Sequence, residues 1–408
     1  MKRYSFSVTV LVFVLVAGCG QAVKKVEDNT SLKTYKNPID LSIGDPHIMR
    51  APDGRYYMYG SGSGSDSTAF PTFSSANLIE WKNEGDAYLR NPVTSWGKGD
   101  FWAPAVYNVK DKYYLFYSSQ WNNNPTNEME NFRIGVAVSD KPTGPFRDIH
   151  NEPIFDPGYP VIDADVLFDN NGRVYLYYSR CCYKHPVESE LAAWARATGM
   201  YNEIEESWVY GVELKPDLSG IIGEPVVILR PPISLDESND SWENRSVING
   251  EANRRWSEAP CSFRNGNTYY IMYSANSVAG NNYDLGYATS ANPLGPFKKA
   301  DNNPVTETKG DVINPAHNCV TFSPDGSEMY CIYGAISMRA AIKRGSSVLP
   351  GKSTSYGFMG QGAPQSMPSG LSRQRILFID KMEIEKEGKV VVYCGNTFAQ
   401  PFPSDKKN

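Results

Sequence analysis

The chain has 408 residues, 41% of them hydrophobic and 12% aromatic, with a formal net charge of -5 and no long run of one sign. That length supports a large core, and the charge balance offers nothing to nucleic acid or to an anionic membrane surface. Four histidines are too few for a histidine-rich metal centre, whereas 26 tyrosines suit half-buried strands and sugar-facing surfaces.

At the start of the chain, Lys2 and Arg3 precede an apolar run from Val8 to Val16, then Ala17, Gly18 and Cys19. This has the form of a secretory signal and is too short to span a membrane. Val16-Ala17-Gly18-Cys19 resembles a bacterial lipobox, so a lipoprotein signal peptide is expected over 1–18, with Cys19 lipidated as the first mature residue. An ordinary signal peptide with a cysteine near its end is the alternative. The expected location is that of an exported bacterial lipoprotein on the periplasmic or cell-surface side of the outer membrane, touching membrane through Cys19 only. Residues 19–36 are polar and lysine-containing and read as a tether, which leaves one domain over 37–408.

Five times along that domain an anchor residue is followed by a tyrosine in a strand-like run. The anchors are Asp45, Trp102, Asp163, Glu258 and His317, and the tyrosines Tyr57, Tyr114, Tyr175, Tyr270 and Tyr330. The spacing is twelve residues in the first four copies and thirteen in the last. A repeat of this kind indicates stacked or radially arranged units. Four of the five carry Asp-Gly or Asn-Gly at the turn (Asp53-Gly54, Asn171-Gly172, Asn265-Gly266, Asp325-Gly326), a strong hairpin signal. Outer strands repeat too: Ser139 to Phe146 is echoed by Ser290 to Phe297, each after a strand-like stretch (Ile134 to Val138, Leu285 to Thr289). Three strands and a Pro/Gly-rich exit fit a four-stranded blade, so the predicted fold is all-β, a five-bladed β-propeller.

Successive anchors lie 57, 61, 95 and 59 residues apart. The long interval is read as an excursion of the third blade between Cys181 and Arg255, with charged and Trp-containing segments at Glu203 to Trp208 and Asp236 to Trp242. It is expected to border the channel mouth and to wall off one end of a groove, which favours exo action. A short helix is expected near Glu188 to Ala197. Of the six cysteines beyond Cys19, namely Cys181, Cys182, Cys261, Cys319, Cys331 and Cys394, buried free thiols are expected at Cys261, Cys331 and Cys394. No Cys/His spacing supports zinc.

In a propeller the inner strand of each blade lines the axis, so equivalent residues of different blades converge. Asp45, Asp163 and Glu258 would then share one end of the channel, and mutual repulsion would push their pKa values apart. One protonated and one ionised carboxyl is what acid/base hydrolysis of a glycosidic bond requires. Taken singly, Asp45-Pro46 is a turn, Asp163 beside Asp165 and Asp169 a solvated loop or cation site, and Glu258 a strand end. Their recurrence at one offset makes them a set.

These residues carry a family resemblance. Gly44-Asp45-Pro46-His47-Ile48, Trp102-Ala103-Pro104, Ile162-Asp163-Ala164-Asp165-Val166, Ser257-Glu258-Ala259-Pro260 and Ala316-His317-Asn318 resemble, in order, the motifs of glycoside hydrolase family 43 over about residues 37–335. The resemblance implies a five-bladed β-propeller and inverting hydrolysis of α-L-arabinofuranosyl or β-D-xylosyl linkages. Asp45 would be the general base, Glu258 the general acid, and Asp163 the residue that raises the acid's pKa and holds it in place. Inversion implies an acid–base separation of roughly 6.5–9.5 Å. Trp102, Phe101 and His317 are candidate substrate contacts, with Trp121 and Trp96 as weaker stacking candidates. A core tryptophan is the competing reading of Trp102. His317 is also the candidate ligand for Ca2+ or another cation in the channel, against a histidine satisfied inside it; no cofactor is required. Where the family commonly has Pro, this chain has Ala164, and Asp165 is a rival carboxylate that strand alternation puts on the face of Asp163. Two other functions stay open. One is a non-catalytic, lipid-anchored glycan-binding propeller, and the other a phosphorylase using Arg254 and Arg255 as a phosphate cradle. The oligomeric state is not legible.

Overall fold

Each of the five repeats forms an antiparallel hairpin whose first strand carries the anchor. The computed structural model describes residues 33–62, 68–125, 127, 130–182, 193, 197–198, 203–232, 242–244, 247–248, 252–276, 283–337, 339–340 and 374–405. Nearly all their regular structure is β-strand. The inner hairpins are Gly44–Arg50 with Tyr56–Ser61, Gly97–Val109 with Lys112–Trp121, Val161–Phe168 with Val174–Cys182, Ala252–Asn265 with Thr268–Ala275, and Val312–Phe322 with Met329–Ser337. At the four Gly-containing turns the glycine takes φ of 83°, 83°, 58° and 77°, a region that costs an L side chain roughly 1–2 kcal/mol. The second hairpin lacks a glycine and instead puts Lys110 and Asp111 at φ 49° and 63°, as a two-residue loop of type I′ demands.

Two further strands complete each blade. They are Thr68–Ser75 and Lys82–Leu89 in the first, Phe132–Ser139 and Arg147–Asp148 in the second, and Glu203–Leu214 and Ile221–Leu229 in the third. The fourth adds Asp284–Ser290 and Lys298–Lys299. In the fifth, Ile376–Ile384 is bordered by Val390–Val392 and by Ile39–Ser42 from the start of the domain. The fold is thus an all-β, five-bladed propeller in which the first blade follows a strand donated to the last.

Middle strands bury both faces because each blade is covered by two neighbours. Tyr57 and Tyr59 pack with Trp96, Phe101, Leu115 and Tyr117 of blade two, while Tyr56 and Met58, pointing the other way, pack with Ile332 and Leu377 of blade five. Comparable apolar layers join blades two and three, three and four, and four and five. Five blades with five shared cores make a closed ring. Each fully buried aliphatic or Phe side chain contributes about 1.5–3 kcal/mol, so side-chain packing rather than a continuous sheet holds the ring together.

The structure departs from the sequence reading at three places. Thr34–Tyr35, expected within the tether, pairs with Gln400–Pro401. The reason is that Tyr35 is 6% exposed and donates its hydroxyl to Ile379 O, while the Asn37 amide bonds Ile379 O and Asp380 and accepts from Ile379 N. The long interval after Asp163 is not one excursion, because Glu203–Leu214 and Ile221–Leu229 are the outer strands of blade three. The additional residues fall into two insertions, 183–202 and 230–251. Finally, Glu203–Ser207 runs parallel to Ala252–Trp256, fusing blades three and four. The helix expected near Glu188 to Ala197 lies almost wholly outside the described residues, as do Cys19 and the signal segment. Cys261, Cys319 and Cys331 are buried free thiols and Cys394 is a half-buried one; Cys181 is buried, and the side chain of Cys182 lies outside the described residues.

Candidate active site

The inner strands bring the candidate carboxylates together through a bulge that recurs in every blade. The register slips at Gly44/His47, Trp102/Ala105, Ile162/Asp165, Glu258/Cys261 and Ala316/Cys319. Inside each bulge one non-glycine residue takes a left-handed φ: Asp45 49°, Ala103 47°, Asp163 59°, Ala259 53° and His317 50°. Such backbone persists only where its surroundings impose it. Each of these residues lies four positions before the strand partner of the repeat tyrosine, namely Met49, Tyr107, Leu167, Phe263 and Thr321. The equivalent positions are therefore Asp45, Ala103, Asp163, Ala259 and His317. Trp102 and Glu258 stand one residue earlier, and their spacing of twelve reflects a hairpin one residue shorter.

Serines hold four of the five bulges and form most of a ring. Ser61, Ser118, Ser179 and Ser274 each stand four residues after their repeat tyrosine. Each accepts the bulge amide of the next blade: Ala103 N to Ser61 Oγ 2.7 Å, Asp163 N to Ser118 3.0 Å, Ala259 N to Ser179 3.0 Å and His317 N to Ser274 2.9 Å. Two of the hydroxyls donate to the acid of their own blade, Ser61 to Asp45 Oδ2 at 2.5 Å and Ser179 to Asp163 Oδ2 at 3.1 Å. The fifth place is Gly334, where a Cβ would come within 3.3 Å of Arg375 Cδ. The missing side chain makes room for Arg375, whose Nη1 donates to Asp45 Oδ1 at 2.6 Å.

Around this ring, His317 Nδ1 lies 3.4 Å from Asp45 Oδ1 and 4.0 Å from Asp163 Oδ1. Ala259 N also approaches Asp163 Oδ2 at 3.2 Å, tying the strand of Glu258 to Asp163. The Glu258 carboxyl accepts from Trp256 Nε1 at 2.6 Å on Oε2 and from the Tyr283 hydroxyl on Oε1. The Arg375 guanidinium lies 5.6 Å from the Tyr283 ring centroid.

Environment sets the three carboxyls apart. Burial pushes Asp45 upward, but His317, Arg375 and the Ser61 hydrogen bond outweigh it and hold its pKa below the ordinary value. Burial raises Asp163 well above the usual range, and the charges of Glu258 and Asp45 add to this. Burial also raises Glu258, against the opposing hydrogen bonds from Tyr283 and Trp256 and the charge of Arg375. The arrangement can therefore hold Asp45 ionised beside a protonated carboxyl.

Asp165 takes no part. The bulge breaks the alternation expected to align it with Asp163, and Asp165 instead accepts from the Tyr107 hydroxyl at 3.0 Å and from Ser262 N at 2.8 Å. Burial raises its pKa to about 6. Nearby, His47 Nε2 is 3.1 Å from Val106 O, and burial lowers its pKa to about 4.

The aromatic candidates separate. Trp102 stacks on Phe132 at 4.2 Å in a small cluster with Trp256, whose indole N–H bonds Glu258. Phe101 is turned away into the core, 1% exposed and packed on Phe70, Tyr88 and Tyr117, because neighbouring residues of a strand face opposite sides. It is not open to a sugar. Trp96 stacks on Tyr117, and Trp121 lies beneath the Arg133 guanidinium. Arg255 is 5% exposed and opposite Glu206 in the sheet, which does not make a phosphate cradle; the Arg254 side chain lies outside the described residues. Among the described residues no three His, Cys, Asp or Glu side chains are grouped to hold a metal.

Sequence reading missed Trp256, Tyr283, Arg375 and the serine ring. The serines had a signal, a Ser four residues after four of the five repeat tyrosines, whereas Arg375 had none.

Comparison with known proteins agrees with this geometry. The family model described as glycosyl hydrolases family 43 matches residues 35–354. The chain is 30% identical over 283 residues to a xylosidase/arabinosidase of Bacteroides ovatus, covering 65% of this chain and 78% of that protein. It is 27% identical over 305 residues to a β-D-galactofuranosidase of Aspergillus niger, covering 71% and 72%. Among solved structures, a thermostable family-43 glycoside hydrolase aligns with a TM-score of 0.71 at 30% identity, over 91% of this chain and all of that one (100%).

Proposed function

The chain belongs to glycosyl hydrolases family 43, and from that premise we propose that it cleaves α-L-arabinofuranosyl or β-D-xylosyl linkages with inversion. Asp45 acts as general base, Glu258 as general acid, and Asp163 as the group that orients the acid and keeps it protonated. The observation that carries the reading is the placing of two buried carboxyls from different blades in opposite settings, Asp45 gripped by Arg375 at 2.6 Å beside His317 and Glu258 held by Trp256 at 2.6 Å and by Tyr283; these settings move Asp45 downward and Glu258 upward in pKa.

In the proposed cycle the Asp45 carboxylate takes a proton from water as that water attacks the anomeric carbon. The Glu258 carboxyl gives its proton to the departing glycosidic oxygen. The sugar leaves with inverted configuration, Asp45 is left protonated and Glu258 ionised, and exchange with solvent restores both. Asp163 and Glu258 are each ionised at a cost beside the other, so when Asp163 carries the negative charge Glu258 keeps its proton for the start of the cycle. Trp256, which clusters with Trp102, holds one oxygen of the acid.

Pentosides are favoured by relatives such as the xylosidase/arabinosidase, and the galactofuranosidase adds a hexofuranoside to the candidates. Exo action is proposed from the two insertions in the third-blade interval, and anchoring at Cys19 from Val16-Ala17-Gly18-Cys19.

Sugar release from aryl α-L-arabinofuranosides, β-D-xylosides and β-D-galactofuranosides names the glycone, and NMR of the first-formed anomer reads the stereochemistry. Inverted pentose from a pentoside supports the proposal, while retained configuration or no turnover of any glycoside contradicts it. Loss of membrane association on Cys19→Ala tests the anchor.

A further inference from the structure

Tyr283 stands at the head of the third strand of blade four and is 3% exposed. Its amide donates to Asn314 Oδ1 at 3.3 Å, on the inner strand of blade five, so its backbone is tied to the neighbouring blade. Its hydroxyl donates to Glu258 Oε1, while the other oxygen of that carboxyl is held by Trp256 Nε1 at 2.6 Å. Trp256 lies two residues from Glu258 and moves with the same strand. Tyr283 arrives from a separate strand, and its ring lies 5.6 Å from the guanidinium that grips Asp45.

An acid catalyst must aim one proton along one direction, and a carboxyl has about four lone-pair sites from which to choose. A donor on each oxygen fixes the plane of the group and leaves the proton only the sites facing away from both donors. We propose that Tyr283 is a positioning residue for the general acid, fixing the plane of the Glu258 carboxyl and, through Arg375, its placement relative to the base Asp45. This rests on the reading of Glu258 as the acid. The same hydroxyl favours the ionised carboxyl, so it limits how far burial can raise that group.

The test is the pH dependence of kcat/KM, and the dependence of kcat on leaving group, for wild type, Tyr283→Phe and Glu258→Gln. The acid must be protonated to act, so activity is lost as pH rises through the Glu258 titration. Removing a donor to the ionised form moves that alkaline limb to higher pH, by about one unit, equivalent to about tenfold in proton affinity. Loss of aim lowers kcat on poor leaving groups by about tenfold, with KM changed by less than about twofold, and leaves activated aryl glycosides nearly unaffected. Should Tyr283→Phe fail to fold, a fluorinated tyrosine at position 283 keeps the ring, strengthens the donor and moves the limb the other way. An unmoved limb, or an equal loss across all leaving groups, overturns the role of Tyr283. Retained turnover of poor leaving groups by Glu258→Gln instead overturns the assignment of the acid itself.

Discussion

Replacing Arg375 by Met should move the whole pH–rate profile to higher pH. The guanidinium lies 2.6 Å from Asp45 Oδ1 with both side chains largely shielded, at 14% and 20% exposure. At an effective dielectric of 20 the bare attraction is about 4 kcal/mol or more, and a hydrogen bond to a charged group is worth about 1.5–3 kcal/mol net. The lower figure is preferred, because burial already opposes the Asp45 charge. It corresponds to about 1–2 pH units on the acid limb of kcat/KM. The sign follows from Asp45 having a depressed pKa: the base works above that value and fails as pH falls through it, so losing Arg375 raises the limb. Arg375 also lowers Glu258, hence the alkaline limb rises as well, in contrast to Tyr283→Phe, which moves that limb alone. The assay is a full pH profile of kcat/KM on an aryl pentoside, with thermal melts to exclude unfolding. An acid limb that stays in place in folded Arg375→Met would refute the electrostatic account of Asp45.

Other expectations follow from the same geometry. Ser179→Ala removes the bond to Asp163 and an acceptor of Ala259 N–H, and should cost about 1–3 kcal/mol in urea unfolding; an unchanged midpoint would deny the serine ring a structural role. Asn37→Ala removes the contacts to Ile379 and Asp380 that fasten the first strand to blade five. It should lower stability by about 2–4 kcal/mol, read as a reduced urea midpoint at constant slope, and a wild-type midpoint would contradict that closure. Excess chelator should leave turnover unchanged, since the proposed steps use protein carboxyls; inactivation reversed by Ca2+ would show that a cation contributes.

The ring was legible because each blade repeats a tyrosine-rich strand buried on both faces, in four of the five after an Asp-Gly or Asn-Gly turn. Asp45, Asp163 and His317 were legible for the same reason, as residues at one bulge position. Glu258 was found although its spacing belongs to a different position, compensated by a shorter turn. Phe101 lies on the side opposite Trp102, as plain strand alternation already requires; the bulge of blade three separates Asp165 from Asp163, which alternation alone would align. Tyr35 read as tether because its burial depends on Ile379, 344 residues away. Arg375 was beyond reach of local pattern, since it meets Asp45 across 330 residues through the gap at Gly334.

The division of labour between Glu258 and Asp45 is tested most directly by a series of aryl glycosides of the preferred sugar with graded leaving-group pKa. Glu258→Gln should lose about 10²–10⁴-fold on poor leaving groups and little on the most acidic phenols, which depart without a proton. Asp45→Asn should lose a similar factor on every member, because water must be activated whatever leaves. A flat loss for Glu258→Gln, or a graded one for Asp45→Asn, would contradict the assignment of acid and base.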